Sequence, residues 1–273
     1  MQIKKLIRYF NYYGKTFFSR RLGEYNLNPW TNGEYNIVNK LANSWDIVFD
    51  AGAFKGEWSQ YVMNKSKSSL QIFMFEPSPA NYKYLRKKFP DKSNVHLYNY
   101  ALSNSNITSP FYFESDLSGS NALYDHPQNE DFEQTEVKCV KLDDFIKRKK
   151  IQKIDFLKMD IEGAEVPAIQ GCIETLQKGK IKFLQIEYNK TWMTAGCKLL
   201  EVFNLLKDTD MEIFRIAPKK LIHLGEYNIH LENFNPSNLL LCNPIHLPSN
   251  IKILKDVYPF LNKETICFSK GQI

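Results

Sequence analysis

The sequence predicts an α/β fold: a doubly wound sheet, mostly parallel, with an antiparallel hairpin at its edge. Three observations carry that reading. From Asp46 onward, short apolar runs alternate with stretches of helical periodicity. The first, Ile47-Val48-Phe49, is apolar throughout rather than alternating, as in strands buried on both faces. The connections are long enough for helical crossovers, which return right-handed to the same sheet.

Taken in order, the elements begin with a basic arm. Met1 to Arg21 places Ile3, Leu6, Ile7, Phe10, Phe17 and Phe18 near helical spacing, with basic residues largely between them. Packing of that apolar face on the domain is the simple expectation. A helix lying on an anionic membrane or against a partner is the sharper one. Gly14 weakens either helix. Gly23, Asn28-Pro29 and Asn32-Gly33 are turn signals, and Glu34 to Leu41 reads as a short helix. Strands are then expected at Ile47-Val48-Phe49, Leu70 to Phe75, Val95 to Ala101, Ile154 to Met159, Ile181 to Glu187, Glu212 to Ile216 and Leu239 to Cys242. Helices are expected at Gly56 to Asn64, Pro79 to Phe89, Ala164 to Leu176 and Lys198 to Leu206; Pro79 suits a first turn. No clear helix separates the last two strands, hence the edge hairpin. Thr108 to Val140 interrupts the rhythm with a polar insertion, whose flanks at Pro110 to Phe113 and Glu136 to Val140 can pair. Long polar insertions are usually functional or mobile. The organisation expected is an arm over 1–35, a main domain over 36–245 with 108–140 as a lid for the acceptor, and an extension over 246–273.

Composition narrows the class. The chain has 273 residues, 43% hydrophobic and 24% charged, which excludes a disordered chain, a collagen and a coiled-coil rod. No run approaches the ~18 apolar residues of a membrane-spanning helix. The net charge of +6 comes entirely from the arm, whose Lys4, Lys5, Arg8, Lys15, Arg20 and Arg21 face no acid. The remaining body balances 30 basic against 30 acidic residues, so it lacks the basic surface of a nucleic-acid binder. The five cysteines are odd in number and none stands at CxxC spacing. A disulfide framework and a zinc knuckle are not expected, and a reducing, cytoplasmic setting is. The N-terminus lacks the apolar core and cleavage site of a secretory signal.

The strongest chemical signal is Asp50-Ala51-Gly52-Ala53-Phe54-Lys55-Gly56, straight after the first strand. Its glycines permit a sharp turn and close approach of a ligand, and the following helix aims its first amides there. Glu76 follows Asp50 by 26 residues and ends the next strand, where an acid can hold ribose hydroxyls. The spacing is not the GxGxxG of a dinucleotide site, and Asp50 would repel pyrophosphate. It suits a cation, and S-adenosylmethionine carries a sulfonium and an ammonium. A strand-turn-helix with an incidental acid is the bland alternative. Farther on, Lys158-Met159-Asp160-Ile161-Glu162-Gly163-Ala164-Glu165 sets Asp160 and Glu162 at the carboxyl end of the fourth strand, in the same crevice. Glu165 reads as a first-turn acid facing the helix dipole.

These residues, with Phe75-Glu76-Pro77, Ala101-Leu102-Ser103 and Leu142-Asp143, resemble the FkbM family of methyltransferases from about Asp46 to Glu187. Lys-x-Asp-x-Glu-Gly-Ala-Glu is the most family-specific element. One departure is Ala53-Phe54, where the family usually has Ala-Asn; its effect is expected to be local to the methionine end of the cofactor. The resemblance implies a class I Rossmann-like methyltransferase fold, dependence on S-adenosylmethionine, and O-methylation of acceptors such as sugars of glycans and natural products. Motif and resemblance together place the cofactor on Asp50, Gly52, Ala53, Phe54, Gly56, Glu76, Pro77, Tyr100, Ala101 and Asp160. A hydroxyl acceptor needs a base, and Asp160, Glu162 and His126 are the candidates. Histidine titrates nearest neutrality, although a lone loop histidine is commonly solvated surface. Asp160 could instead bind the cofactor's ammonium. Mg²⁺ on Asp160, Glu187 and Asn189 is an arrangement the residue types allow but is not expected, because no dense carboxylate cluster is visible in the sequence. Tyr35, Tyr124, Tyr188 and Trp192 are candidates for stacking, with Tyr188 and Trp192 favoured for the cleft.

The expectation is therefore an O-methyltransferase acting on a saccharide or glycan-type hydroxyl, with the arm packed on the domain and peripheral contact with a membrane as its alternative. The rival readings are a non-catalytic module that keeps the fold, and a methyltransferase for another small-molecule or lipid hydroxyl. Nucleic-acid partners are not expected.

Overall fold

The computed structural model describes residues 19–90, 92–113, 122–123 and 133–255. Helix α1 (Glu34–Leu41) precedes the first crossover unit: β1 (Ile47–Ala51), α2 (Glu57–Lys65), β2 (Gln71–Phe75), α3 (Pro79–Lys88) and β3 (Val95–Tyr98). Ser78 caps α3 by accepting from the Asn81 amide, and Pro79 occupies its first position. Next come β4 (Ala101–Leu102), β5 (Thr108–Phe113), β6 (Glu133–Val140) and α4 (Leu142–Lys149). The second half of the sheet follows as β7 (Ile154–Met159), α5 (Glu165–Gln170), α6 (Ile173–Gln177), β8 (Ile181–Tyr188), α7 (Leu199–Leu206), β9 (Glu212–Ala217), β10 (Lys220–His223), β11 (Ser237–Cys242) and β12 (Lys252–Lys255).

The large sheet runs β12-β10-β9-β11-β8-β7-β1-β2-β3. Strands β3, β2, β1, β7 and β8 pair in parallel. Chain order reverses between β1 and β7, so their carboxyl ends form the crevice where such sheets bind ligands. Side chains alternate between two cores. Val48, Ile72, Phe156 and Phe183 face α1 and α2 with Tyr35, Val38 and Trp58. Phe49, Phe73, Leu157 and Leu184 face α4 and α5 with Phe145 and Val166. The same period puts Asp50, Lys158 and Gln185 on the α1–α2 face.

The predicted α/β sheet is present, with four differences in detail. The third strand stops at Tyr98, because Asn99 turns its amide onto the carbonyls of Glu76 and Pro77, at 2.8 Å each. Ala101–Leu102 therefore leaves the large sheet and joins a second one, β4-β6-β5, in which β5 and β6 pair antiparallel as their flanking pattern predicts. The expected helix over Ala164 to Leu176 is two helices: Gly171 packs so close to the Ser103 carbonyl that a Cβ would lie 2.0 Å from its oxygen, and the helix ends there. Strand β11 is antiparallel to its neighbours, but it lies between β8 and β9 rather than at the edge; β10 and β12 continue the sheet beyond β9. Helix α4 has no counterpart in the sequence reading. Asp143 in its first turn accepts from the Glu174 and Thr175 amides at 3.1 and 2.9 Å, tying α4 to α6. Residues 19–35 are joined to the sheet, since Glu24 bridges Ser237 and forms a buried ion pair with Arg215 at 3.4 Å. No helix among the described residues is long and apolar enough to cross a membrane.

Candidate active site

Two cavities meet at the carboxyl ends of β1 and β7. The first, a cleft of about 530 Å³ open to solvent, runs from Glu76 and Pro77 past Tyr100 and Ala101 to Asp160 and Glu162. Phe111 of β5 and Leu123, next to the Ala122 that bridges Tyr112, form part of its wall, so residues of the 108–140 insertion line this cleft. The second, a hollow of about 760 Å³, is lined by Glu34 and Tyr35 of α1, Asp50, Trp58 of α2 and Lys158. Gly52, Phe54 and Asp160 border both.

The loop after β1 is shaped by close packing. Gly52 has φ +78°, and a Cβ there would lie 1.8 Å from the Asp160 carbonyl oxygen; Gly56 has φ +67° and would drive one into Phe89 and Leu85. Only glycine fits either place. Gly52 borders the cleft, but Gly56 lines neither cavity, so its task is packing α2 against α3. Phe54 adopts φ +48°, a conformation in which asparagine is far commoner than a large aromatic. Its amide donates to Glu76 Oε2 at 2.7 Å, and the Ser78 amide donates to Oε1 at 2.9 Å. Glu76 is thus fixed, 4% exposed, and burial pushes its pKa up to about 7. The Asn81 side chain adds a third hydrogen bond, which leaves the carboxylate one of its roughly four acceptor sites for a ligand.

Asp50 faces the hollow rather than the cleft. It is 1% exposed. Oδ2 accepts from the Ser59 hydroxyl at 2.5 Å, while Oδ1 has no hydrogen-bond partner. Burial raises its pKa although the Lys158 ammonium opposes the shift. Lys158 donates to Asp160 Oδ2 at 2.8 Å. Burial acts against its charge, but Asp160, Asp50 and Glu34 outweigh burial and hold the ammonium above the usual lysine value.

Three carboxylates converge at the mouth. Asp160, Glu162 and Glu187 present oxygens within 4.8 Å of one another, close enough for one divalent cation to bridge. The cluster joins Asp160 and Glu187, as the sequence reading of a Mg²⁺ site does, with Glu162 in the place given there to Asn189. Asn189 is engaged otherwise: Nδ2 donates to Glu187 at 2.7 Å, and Oδ1 accepts from the Thr191 amide at 2.7 Å. Glu162 has φ +52°, and burial, then the Asp160 charge, push its pKa up to about 7. The same two causes raise Glu187. Glu165 accepts from the amides of Ile161 and Gly163 at 2.9 and 3.0 Å. It clamps the loop that carries Glu162, a more specific task than facing a dipole. Burial pushes its pKa up to about 8.

Other expected residues are placed differently. Tyr188 and Trp192 are buried in the core; the Tyr188 hydroxyl donates to the Leu231 carbonyl at 3.2 Å and the Trp192 indole to the Glu187 carbonyl at 3.0 Å. They are not cleft residues. His126 and Tyr124 lie outside the described residues, as does the arm up to residue 18. Glu34, Trp58 and Lys158 were missed as site residues. Only the two-residue alternation of Lys158 with Asp160 hinted at them.

A family model, "Methyltransferase FkbM domain", matches residues 50–215. The chain is similar to "Methyltransferase sdnD" of Sordaria araneosa, 27% identical over 216 residues that cover 68% of this chain and 80% of that protein. It is also similar to "2-O-methyltransferase NoeI" of Sinorhizobium fredii (strain NBRC 101917 / NGR234), 28% identical over 173 residues that cover 59% of this chain and 70% of that protein. A solved structure, the methyltransferase FkbM of Methylobacillus flagellatus KT, is similar at 18% identity and TM-score 0.45, over 73% of this chain and 44% of that one. The family match spans more than half of the chain and includes the loop after β1, Glu76 and the whole Lys158 to Glu165 element. The chain belongs to the FkbM family of S-adenosylmethionine-dependent methyltransferases.

Proposed function

We propose that this chain methylates a hydroxyl of a saccharide or glycan-type acceptor. The observation that carries the reading is the meeting of two cavities at Asp160, beside a second carboxylate, Glu162, whose pKa lies near neutrality. The residues present fit S-adenosylmethionine: a buried acid able to take ribose hydroxyls in one cavity, an orphaned carboxylate oxygen on Asp50, and an acidic surround suited to a cation. The cofactor supplies an electrophilic methyl on a sulfonium.

Each residue then has a task. Glu76 holds the ribose, with Pro77, Tyr100 and Ala101 along the nucleoside wall. Gly52, Ala53 and Phe54 form the ridge between the two cavities, and Asp50 and Asp160 oppose the positive charge. Glu162, half-buried and ionising near pH 7, accepts the proton of the acceptor hydroxyl. A base with its pKa near the working pH is the efficient choice and contributes typically 10²–10⁴-fold. Holding oxygen, carbon and sulfur in line supplies more. The name 2-O-methyltransferase carried by one relative supports a hydroxyl acceptor.

An exposed apolar rim favours a second acceptor class, a hydroxyl borne by a lipid or another apolar molecule. Leu27, 67% exposed, lines the hollow, and Trp30, 69% exposed, stands three residues on, held edge-on by Tyr35 and Tyr61 at 4.8 and 5.2 Å.

Radiolabelled methyl transfer to a panel of saccharides, glycolipids and apolar alcohols tests the reading, with transfer to the saccharides expected. Transfer to apolar alcohols alone would shift it to the second class, and transfer to amines alone would refute it. Loss of transfer in EDTA with recovery in Mg²⁺ would assign the three-carboxylate cluster to a cation. Vesicle co-sedimentation of the full chain at low and high salt tests the arm; salt-sensitive binding to anionic vesicles is expected.

A further inference from the structure

A lysine in an interior strand of a sheet covered on both faces needs an explanation, since lysine is almost never fully buried without a partner. The Lys158 side chain is 7% exposed. It stands in register with Asp50 on β1 and Gln185 on β8. Both neighbours have partners of their own. Asp50 accepts from Ser59, and Gln185 donates to Glu34 Oε1 at 3.0 Å. A lysine present only to neutralise Asp50 would bond to it. The ammonium instead donates along its own strand to Asp160 Oδ2 at 2.8 Å, and that carboxylate is 39% exposed at the junction of the two cavities.

We propose that Lys158 is a positioning residue for methyl transfer: seated in the sheet against the hollow, its ammonium anchors the Asp160 carboxylate where hollow and cleft join and leaves the other oxygen for the cationic centre of the cofactor. The inference rests on the proposed role of Asp160. The chemistry is electrostatic. A carboxylate hung on two rotatable bonds would spread over several rotamers, whereas a charge-assisted bond to a buried, immobile donor selects one. The polar row Asp50–Lys158–Gln185, with Glu34 above it from α1, holds the donor.

The test compares two ligands that differ by one methyl and one positive charge, S-adenosylmethionine and S-adenosylhomocysteine, by calorimetric titration of the full-length protein. The affinity ratio between them reads the charge facing the sulfur and is insensitive to general loss of binding. Asp160→Asn is expected to cut the preference for the cation roughly tenfold. Lys158→Met should cut it as much, Lys158→Arg should restore most of it, and Lys158→Met/Asp160→Asn should lose no more than either single variant. Should Lys158→Met not fold, Lys158→Met/Glu34→Gln removes one buried charge of each sign and carries the same comparison. An unchanged ratio in the Lys158 variants beside a lowered one in Asp160→Asn overturns the Lys158 role alone. An unchanged ratio in Asp160→Asn overturns the Asp160 assignment and this inference with it. Failure of the wild-type protein to bind either ligand overturns the cofactor reading itself.

Discussion

Glu162→Gln should stabilise the protein at alkaline pH, a gain that distinguishes a strained functional acid from a structural one. Glu162 is forced into a left-handed backbone conformation and faces Asp160 and Glu187. Its pKa rises from 4.5 to about 7, by burial first and the Asp160 charge second. The folded state therefore disfavours the ionised form. This stability is fully present below pH 4.5 and drains away as pH rises to about 7. At 1.36 kcal/mol per pKa unit, the loss is about 3 kcal/mol at most. Glutamine has no charge to ionise, so the variant escapes it, and neutralising Glu162 also relieves Glu187. At roughly 2–4 °C per kcal/mol for a chain of this size, the variant should melt about 5–10 °C above wild type at pH 8 and show little advantage at pH 4.5. Melting is followed in EDTA, so that no divalent cation answers the carboxylates. Methyl transfer should meanwhile fall by about 10²-fold or more. Equal pH dependence of melting in the two proteins would refute the assigned electrostatics. A stabilised variant with full transfer would remove Glu162 as the base.

Three further outcomes are expected. Glu76→Gln should weaken S-adenosylhomocysteine binding by about tenfold or more, the worth of a hydrogen bond to a charged group, and its NH2 must face one of the two amides from which the carboxylate accepts; unchanged affinity by calorimetry would remove Glu76 from the ribose site. Asp143→Ala should cost about 1–2 kcal/mol in urea denaturation through loss of its bonds to the α6 amides, and leave ligand affinity untouched. Phe54→Asn, at φ +48°, should raise stability by about 1 kcal/mol in the same assay by relieving a conformation asparagine tolerates; a loss would show that the ring contributes more than the backbone strain costs.

The fold was legible where residues act locally. An apolar run such as Ile47-Val48-Phe49 must be buried on both faces, and Ser78-Pro79 is a complete helix start. Position 54 was legible as a departure, and its left-handed backbone explains why asparagine suits it. What the sequence concealed depends on contacts between distant segments. Asn99 ends β3 by capturing two carbonyls from the β2 loop. Gly171 breaks a helix because Ser103 lies against it. The candidate site divides the same way. Asp160 and Glu162 stand in one short motif and Glu187 is expected at the neighbouring strand end, whereas the convergence of all three oxygens depends on the pairing of β7 with β8. The exclusion of Tyr188 and Trp192 from the cleft follows from which face of β8, and which side of the turn after it, meets the core.

The most direct test of the central claim is a crystal structure of the protein with S-adenosylhomocysteine. The account predicts ribose hydroxyls on the Glu76 carboxylate and the sulfur beside Asp160, where cleft and hollow join. A nucleoside bound elsewhere, or a Glu76 that makes no contact with the ribose, would contradict it.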